Sequence, residues 1–167
     1  EENILLFSKL SKMNSIVMRL SNCYGAPCSK NDQCWNLVIN ELCCQAILEK
    51  KIKLKGTGLQ SRNFISMRET SLATNFLIKK MGKSINNEIF NIGSDWNPSI
   101  FDIAKLIKYR CYKLFNFNPE IATPYPNKEV IKFTYSVDKL RKVGFESNYL
   151  LDDLDDLLKY CFNKYET

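Results

Sequence analysis

The chain has 167 residues, enough for one domain with its own core, and its 45% hydrophobic and 25% charged residues are an ordinary globular composition. No apolar run approaches the roughly 20 residues of a membrane span, and the absence of histidine excludes Ser-His-Asp chemistry and the usual Cys/His zinc patterns. The net charge of +6 is scattered among acids rather than gathered in a stripe, which argues against a nucleic-acid binder.

The chain opens Glu1-Glu2-Asn3, without Met and without a signal-peptide pattern, as expected of a chain processed or cut from something longer. Residues 2–12, ENILLFSKLSK, read as the end of an amphipathic helix with Ile4, Leu5 and Leu10 on one face. Ile16-Val17-Met18-Arg19-Leu20 has the apolar, β-branched content of a buried strand, and it halts at Ser21-Asn22-Cys23-Tyr24-Gly25. Residues 21–33 are a loop by composition. Residues 34–49 form a helix offering Leu37, Leu42, Ala46 and Ile47 to a core. Over 51–55 charged and apolar residues alternate, the pattern of a strand with one wet face.

GTGLQSR, 56–62, is a loop, followed by an extended piece at 63–66. A helix over 69–81 stops near Gly82. EIFNIG, 88–93, is a strand, and Ser99 with Asp102 three residues on is a capping box that opens a helix burying Ile103, Leu106, Ile107 and Leu114. Residues 117–134 read as irregular, with three prolines. A short helix is expected at 136–142 and a last one at 150–165, where Asp152, Asp153, Asp155 and Asp156 read as its wet face. Residues 1–167 form a single unit, with no repeat. The alternation of helices and strands gives an α/β or α+β class. The strands are few, and GTGLQS lacks both the G-x-G-x-x-G fingerprint and the P-loop Lys-Ser/Thr, so the chain looks like part of a fold.

Seven cysteines, an odd number with no C-x-x-C pair, are expected to be free thiols in a reducing cytoplasm. Three polar groups stand at element ends. Ser21, Asn22 and Tyr24 follow a strand, where ligands bind in open α/β sheets, although a plain turn accounts for them equally well. Arg62 leaves a Gly-containing loop and can fork onto a phosphate or sit as a surface arginine. Trp35, Asn36 and Leu37 open a helix whose free N–H groups favour an anion, with Trp35 equally placed to anchor the core.

Taken in order, IVMRLSNCYGAP, WNLVINELCCQAIL, IKLKGTGLQSRNFISM, EIFNIGSDWNPSIFDIAKLI and YSVDKLRKVGF resemble the extended short-chain dehydrogenase/reductase family, the nucleotide-sugar epimerases and dehydratases. The resemblance implies the C-terminal portion of a Rossmann-type fold: a few late strands of the sheet plus the smaller mixed α/β substrate-binding domain. Glu1 or Glu2 then matches an acid that follows the catalytic Lys. The cofactor loop and the Tyr-x-x-x-Lys pair would precede the chain, leaving no catalytic residue within it. The resemblance directs Asn22 at a nucleotide-sugar diphosphate, Arg62 at the diphosphate or ribose, and Asn36 and Leu37 at the nucleotide pocket. The backbone at Leu20 and Ser21 would pass the nicotinamide of NAD or NADP.

The sequence departs from the family pattern in three places, the first being Arg68-Glu69, which stand where paired acids are common. Asn63 replaces the acid after Arg62, and Lys128 or Lys132 stands where a second phosphate-binding Arg is common. The implied partner is a nucleotide-sugar, with no nucleic acid and no membrane, and the complete enzyme would be a homodimer. The reaction would be transient hydride transfer on the sugar. A reductase or decarboxylase, or a non-catalytic interaction module built on the same fold, are the alternatives.

Overall fold

The computed structural model describes residues 1–29, 33–122, 133–147 and 151–165. Three parallel strand pairs carry the architecture. Strand β1 (Ile16–Leu20) pairs with β5 (Glu88–Ile92), β2 (Asn22–Tyr24) with β4 (Phe64–Ser66), and β3 (Lys51–Lys53) with β6 (Glu120–Ala122). Parallel pairing demands crossover connections, and helices supply them. Helix α1 (Glu2–Ser11) precedes β1, α2 (Val38–Leu48) leads into β3, α3 (Met67–Lys80) follows β4 and α4 (Ile100–Phe115) lies between β5 and β6. The short α5 (Asp138–Lys142) and then α6 (Leu151–Tyr165) complete the chain.

Among the described residues, two helices start on side-chain caps. Ser66 Oγ accepts from Glu69 N (3.1 Å) at α3, and Ser99 Oγ accepts from Asp102 N (3.1 Å) at α4. The Ser99 hydroxyl also donates to Asp102 Oδ2, and this bond holds the Asp102 carboxyl below its usual range. One core gathers α2, α4 and α6 around β3, with Ile47, Ile52, Ile107 and Leu158 each 1% exposed or less. A second lies under β1 and β5, around Phe90, Ile92 and Leu77.

Several expectations change. Strand β1 is half-exposed rather than buried, with Leu20 at 53% exposure, because among the described residues only β5 pairs with it. Helix α1 leaves Ile4, Phe7 and Leu10 exposed and buries only Ser8. Helix α2 begins at Val38, so Leu37 is its N-cap and stays out of the core. The irregular stretches at 21–33 and 117–134 each contain a short strand, β2 and β6. Asp153 and Asp155 are buried, facing Arg68 and Arg110, while Asp152 and Asp156 form the wet face. Lys128 and Lys132 lie outside the described residues.

All seven cysteines are free. Burial pushes the Cys43 thiol well up and Cys111 to about 12, while a hydrogen bond with Cys44, followed by burial, raises Cys161. The thiolate is the reacting form. Iodoacetamide at mild alkaline pH is therefore expected to label the exposed Cys28 in the native protein, and Cys43, Cys111 and Cys161 only after denaturation. Peptide mass spectrometry reads the order, and native labelling of Cys111 as fast as Cys28 would contradict the packing.

Candidate functional site

The chain changes partner where β1 ends. Ser21 N still donates to Ile92 O (2.9 Å) of β5, but Asn22 N and Nδ2 both donate to Asn63 O (3.2 and 2.9 Å), and β2 continues along β4. A crevice opens at such a divergence, beside the carboxyl ends of the strands, where open α/β sheets bind ligands. Here it is a cleft of about 410 Å³ lined by residues 20–22 and 60–63 together with Phe133 and Tyr135.

The second wall is strapped to α4. Phe101 N and Ile100 N, first-turn donors with no intrahelical acceptor, reach Gly58 O (2.8 Å) and Gln60 O (3.2 Å). Arg62 N donates to Pro98 O (3.0 Å). Gly58 has φ +71°, and a Cβ there would fall 2.6 Å from Leu54 Cδ1, so the loop needs glycine at this point. Asn63 is 1% exposed and ties the wall to the segment after β5. Its Nδ2 donates to Ser94 O (2.6 Å), Asn97 Oδ1 (3.0 Å) and Trp96 O (3.3 Å), and its Oδ1 accepts from Ser94 N (3.2 Å).

Leu20, Ser21, Asn22 and Arg62 thus share one cleft. The Arg62 guanidinium is exposed, makes a long bond to Gln60 Oε1 (3.4 Å) and has no ion pair among the described residues. Asn22 spends one of its two Nδ2 hydrogens on Asn63 O, which leaves the other hydrogen and Oδ1 for a ligand. Ser21 Oγ is buried with no hydrogen-bond partner among the described residues. A second cavity of about 250 Å³ shares Gln60 and Arg62 with the cleft and runs between α2 and the loop after β3. Asn36 and Leu37 are exposed ahead of α2 and line neither space, although the next residue, Val38, lines the second. Trp35 is partly buried, stacked on Tyr160 with ring centroids 6.1 Å apart.

Sequence reasoning missed Gln60, Phe133 and Tyr135 as lining residues. Tyr135 opens the YSVDKLRKVGF segment, but no local signal brings it to β1. Its hydroxyl donates to Arg19 O (2.7 Å), and burial pushes its phenol up. Tyr-x-x-x-Lys spacing does occur within the chain, at Tyr109 and Lys113, Tyr135 and Lys139, and Tyr160 and Lys164. Only Tyr135 of these lines the cleft, and Lys139 Nζ is committed to Ile89 O (2.8 Å) and Glu88 (2.9 Å). Among the described residues no group of three or more Cys, Asp or Glu side chains is placed to hold a metal, and no helix is long and apolar enough to cross a membrane.

Known proteins share this architecture. UDP-sulfoquinovose synthase, chloroplastic, from Spinacia oleracea is 26% identical over 133 residues, which cover 78% of this chain and 27% of that protein. RMD from Pseudomonas aeruginosa, complexed with NADPH, superposes with a TM-score of 0.76 at 16% identity, over 98% of this chain and 52% of that one. UDP-glucuronic acid 4-epimerase from Bacillus cereus, in complex with UDP-glucuronic acid and NAD, gives 0.73 at 20% identity over 98% and 50%. The dTDP-glucose 4,6-dehydratase of Bacillus anthracis, in complex with NAD, gives 0.72 at 21% over 99% and 50%. The chain therefore spans about a quarter of the curated relative and about half of each solved structure, and its fold is that portion of a Rossmann-type short-chain dehydrogenase/reductase. The family model described as NAD dependent epimerase/dehydratase matches residues 2–93 of the 167, and the chain belongs to that family.

Proposed function

We propose that this chain is the substrate-binding portion of an NAD(P)-dependent nucleotide-sugar epimerase or dehydratase. The observation that carries the reading is the convergence of Asn22 and Arg62, forty residues apart, on one cleft at the point where the strands part. A diphosphate bears about two negative charges, and an exposed guanidinium with no ion-pair partner among the described residues forks onto it. Arg62 lines both cavities, so a molecule with its phosphates there extends one end into each. The second cavity, with Val38, Leu42, Leu54 and Ile100 in its lining, suits the nucleoside. The cleft, with Ser21, Asn22 and Ser61 in its lining, suits the sugar, whose hydroxyls meet the Asn22 amide.

The chain's own residues also fit the cofactor that the relatives bind. Leu20 is exposed at the end of β1 and offers an apolar surface to a flat ring, and beside it Ser21 Oγ has unspent hydrogen-bonding capacity. When bound, the cofactor supplies transient hydride transfer on the sugar. Residues 20–22 and 60–63 orient the substrate for that step and hold its charge.

The test is calorimetry and turnover of the protein at its full natural length, with NAD and NADP, against a panel of UDP-, dTDP- and GDP-sugars. At least one nucleotide-sugar is expected to bind and turn over, and Arg62→Ala to weaken its binding by ~1.5–3 kcal/mol, the scale of a charged hydrogen bond. Failure of every nucleotide-sugar to bind would overturn the reading, and unchanged affinity in Arg62→Ala would remove that residue from the site.

A further inference from the structure

We propose that Glu41 and Lys55 read the ring edge of the nucleoside base, favouring bases that present a ring N–H (uracil, thymine or guanine) over cytosine and adenine. The proposal rests on the nucleotide-sugar reading above and assigns the second cavity its specificity. Val38, Leu42, Leu54 and Ile100 give that cavity an aliphatic part. Its charged lining groups, apart from Arg62, are Lys53, Glu41 and Lys55. Lys53 Nζ is drawn off to Glu49 (2.5 Å). Glu41 and Lys55 face each other, with Lys55 Nζ 2.7 Å from Oε1 and 2.9 Å from Oε2.

The two partners are held unequally. The Glu41 side chain is 27% exposed, and Gln45 Nε2 donates to its Oε1 (3.3 Å) while Gln45 Oε1 accepts from Lys53 N (2.8 Å), which ties that side chain to β3. The Lys55 side chain is 80% exposed.

A carboxylate in a cavity that shares Arg62 with a diphosphate site repels phosphate. It is useful only to a ligand end that brings donors. A carboxylate accepts only and an ammonium donates only. Uracil, thymine and guanine place a ring N–H beside a carbonyl, so the N–H meets Glu41 and the carbonyl meets Lys55. Cytosine and adenine place a ring lone pair where that N–H would be, against the carboxylate. A site that presents one hydrogen-bonding pattern discriminates against its inverse, because the Glu41 carboxylate then faces a ring lone pair instead of a donor.

The experiment titrates the full-length protein with UDP, dTDP, GDP, CDP, ADP and inorganic pyrophosphate, as wild type, Glu41→Gln and Lys55→Met. The wild type is expected to bind at least one of UDP, dTDP and GDP about tenfold or more tighter than CDP and ADP, a gap of the size one such hydrogen bond confers. In Glu41→Gln, whose amide both donates and accepts, the gap should fall below about threefold with pyrophosphate affinity no lower than in the wild type. Lys55→Met should narrow it in the same direction, and its exposed position leaves the fold intact. Equal wild-type affinity for all five nucleoside diphosphates, or a preference that survives Glu41→Gln, overturns the proposal while leaving the nucleotide-sugar reading standing. No nucleoside diphosphate binding more tightly than pyrophosphate overturns both.

Discussion

Replacing Arg110 by alanine is expected to destabilise the protein by about 3–5 kcal/mol, the cost of removing one partner from a buried ion pair. Arg110 on α4 grips Asp155 on α6 with both arms of its fork, Nε to Oδ1 at 2.7 Å and Nη2 to Oδ2. The two side chains are 20% and 10% exposed, so water screens the pair little and would reach the abandoned carboxylate poorly. The neighbours Cys111 and Leu154 are both in the core, so α6 cannot turn Asp155 outward without pulling Leu154, Leu157 and Leu158 out of it. Lysine would restore the charge but not the fork, and should recover only part of the loss. The double change Arg110→Leu with Asp155→Leu should be far less harmful than the single one, because it leaves no charge stranded. Urea unfolding monitored by circular dichroism measures all three. A loss below about 1 kcal/mol for Arg110→Ala would place the pair in the solvated class. The exposed pair Arg19–Glu1 belongs to that class and is expected to add little.

The aspartates of α6 show where reading the sequence stops. Four acids around Leu154 and Leu157 look like one wet face, and Asp152 and Asp156 are exposed as that pattern requires. Asp153 and Asp155 are buried because Arg68 and Arg110, far away in the chain, come to meet them. Strands β1 and β5 were legible from their apolar residues, β3 from its alternation of charged and apolar residues, and α4 from its cap. Strands β2 and β6 were not, since Asn-Cys-Tyr and Glu-Ile-Ala carry no alternation and exist as strands only through β4 and β3. The site follows the same division. Residues 20–22 and 62 could be singled out as polar groups at element ends. Their meeting depends on the parallel pairing of β2 with β4, and the arrival of Tyr135 depends on the path of the whole chain; neither leaves a local trace.

Asn63→Asp tests that convergence most directly, and is expected to cost about 3 kcal/mol through the stranding of a buried charge. The exchange looks conservative, and the family pattern has an acid at this position. In this chain the amide is needed. Asn63 Nδ2 points at Ser94 O, Trp96 O and Asn97 Oδ1, so a carboxylate oxygen there would face three acceptors and no donor, with only Ser94 N left to the other oxygen. Nor can the side chain retreat, because Gly93 packs so closely that even a Cβ on it would fall 2.3 Å from Asn63 Oδ1. A protonated carboxyl could donate once and recover part of the network. Its pKa in the folded variant would therefore lie above the unfolded value, and stability would fall as pH rises from the unfolded pKa through the folded one. The deficit relative to wild type should be larger at pH 7 than at pH 4. Asn63 O also receives both Asn22 N and Asn22 Nδ2, so the variant that does fold should bind nucleotide-sugar more weakly than wild type. Urea titrations at the two pH values, with calorimetry at the higher one, would measure both effects. Equal stability at pH 7 would mean that the amide at residue 63 does not hold the two walls of the cleft together.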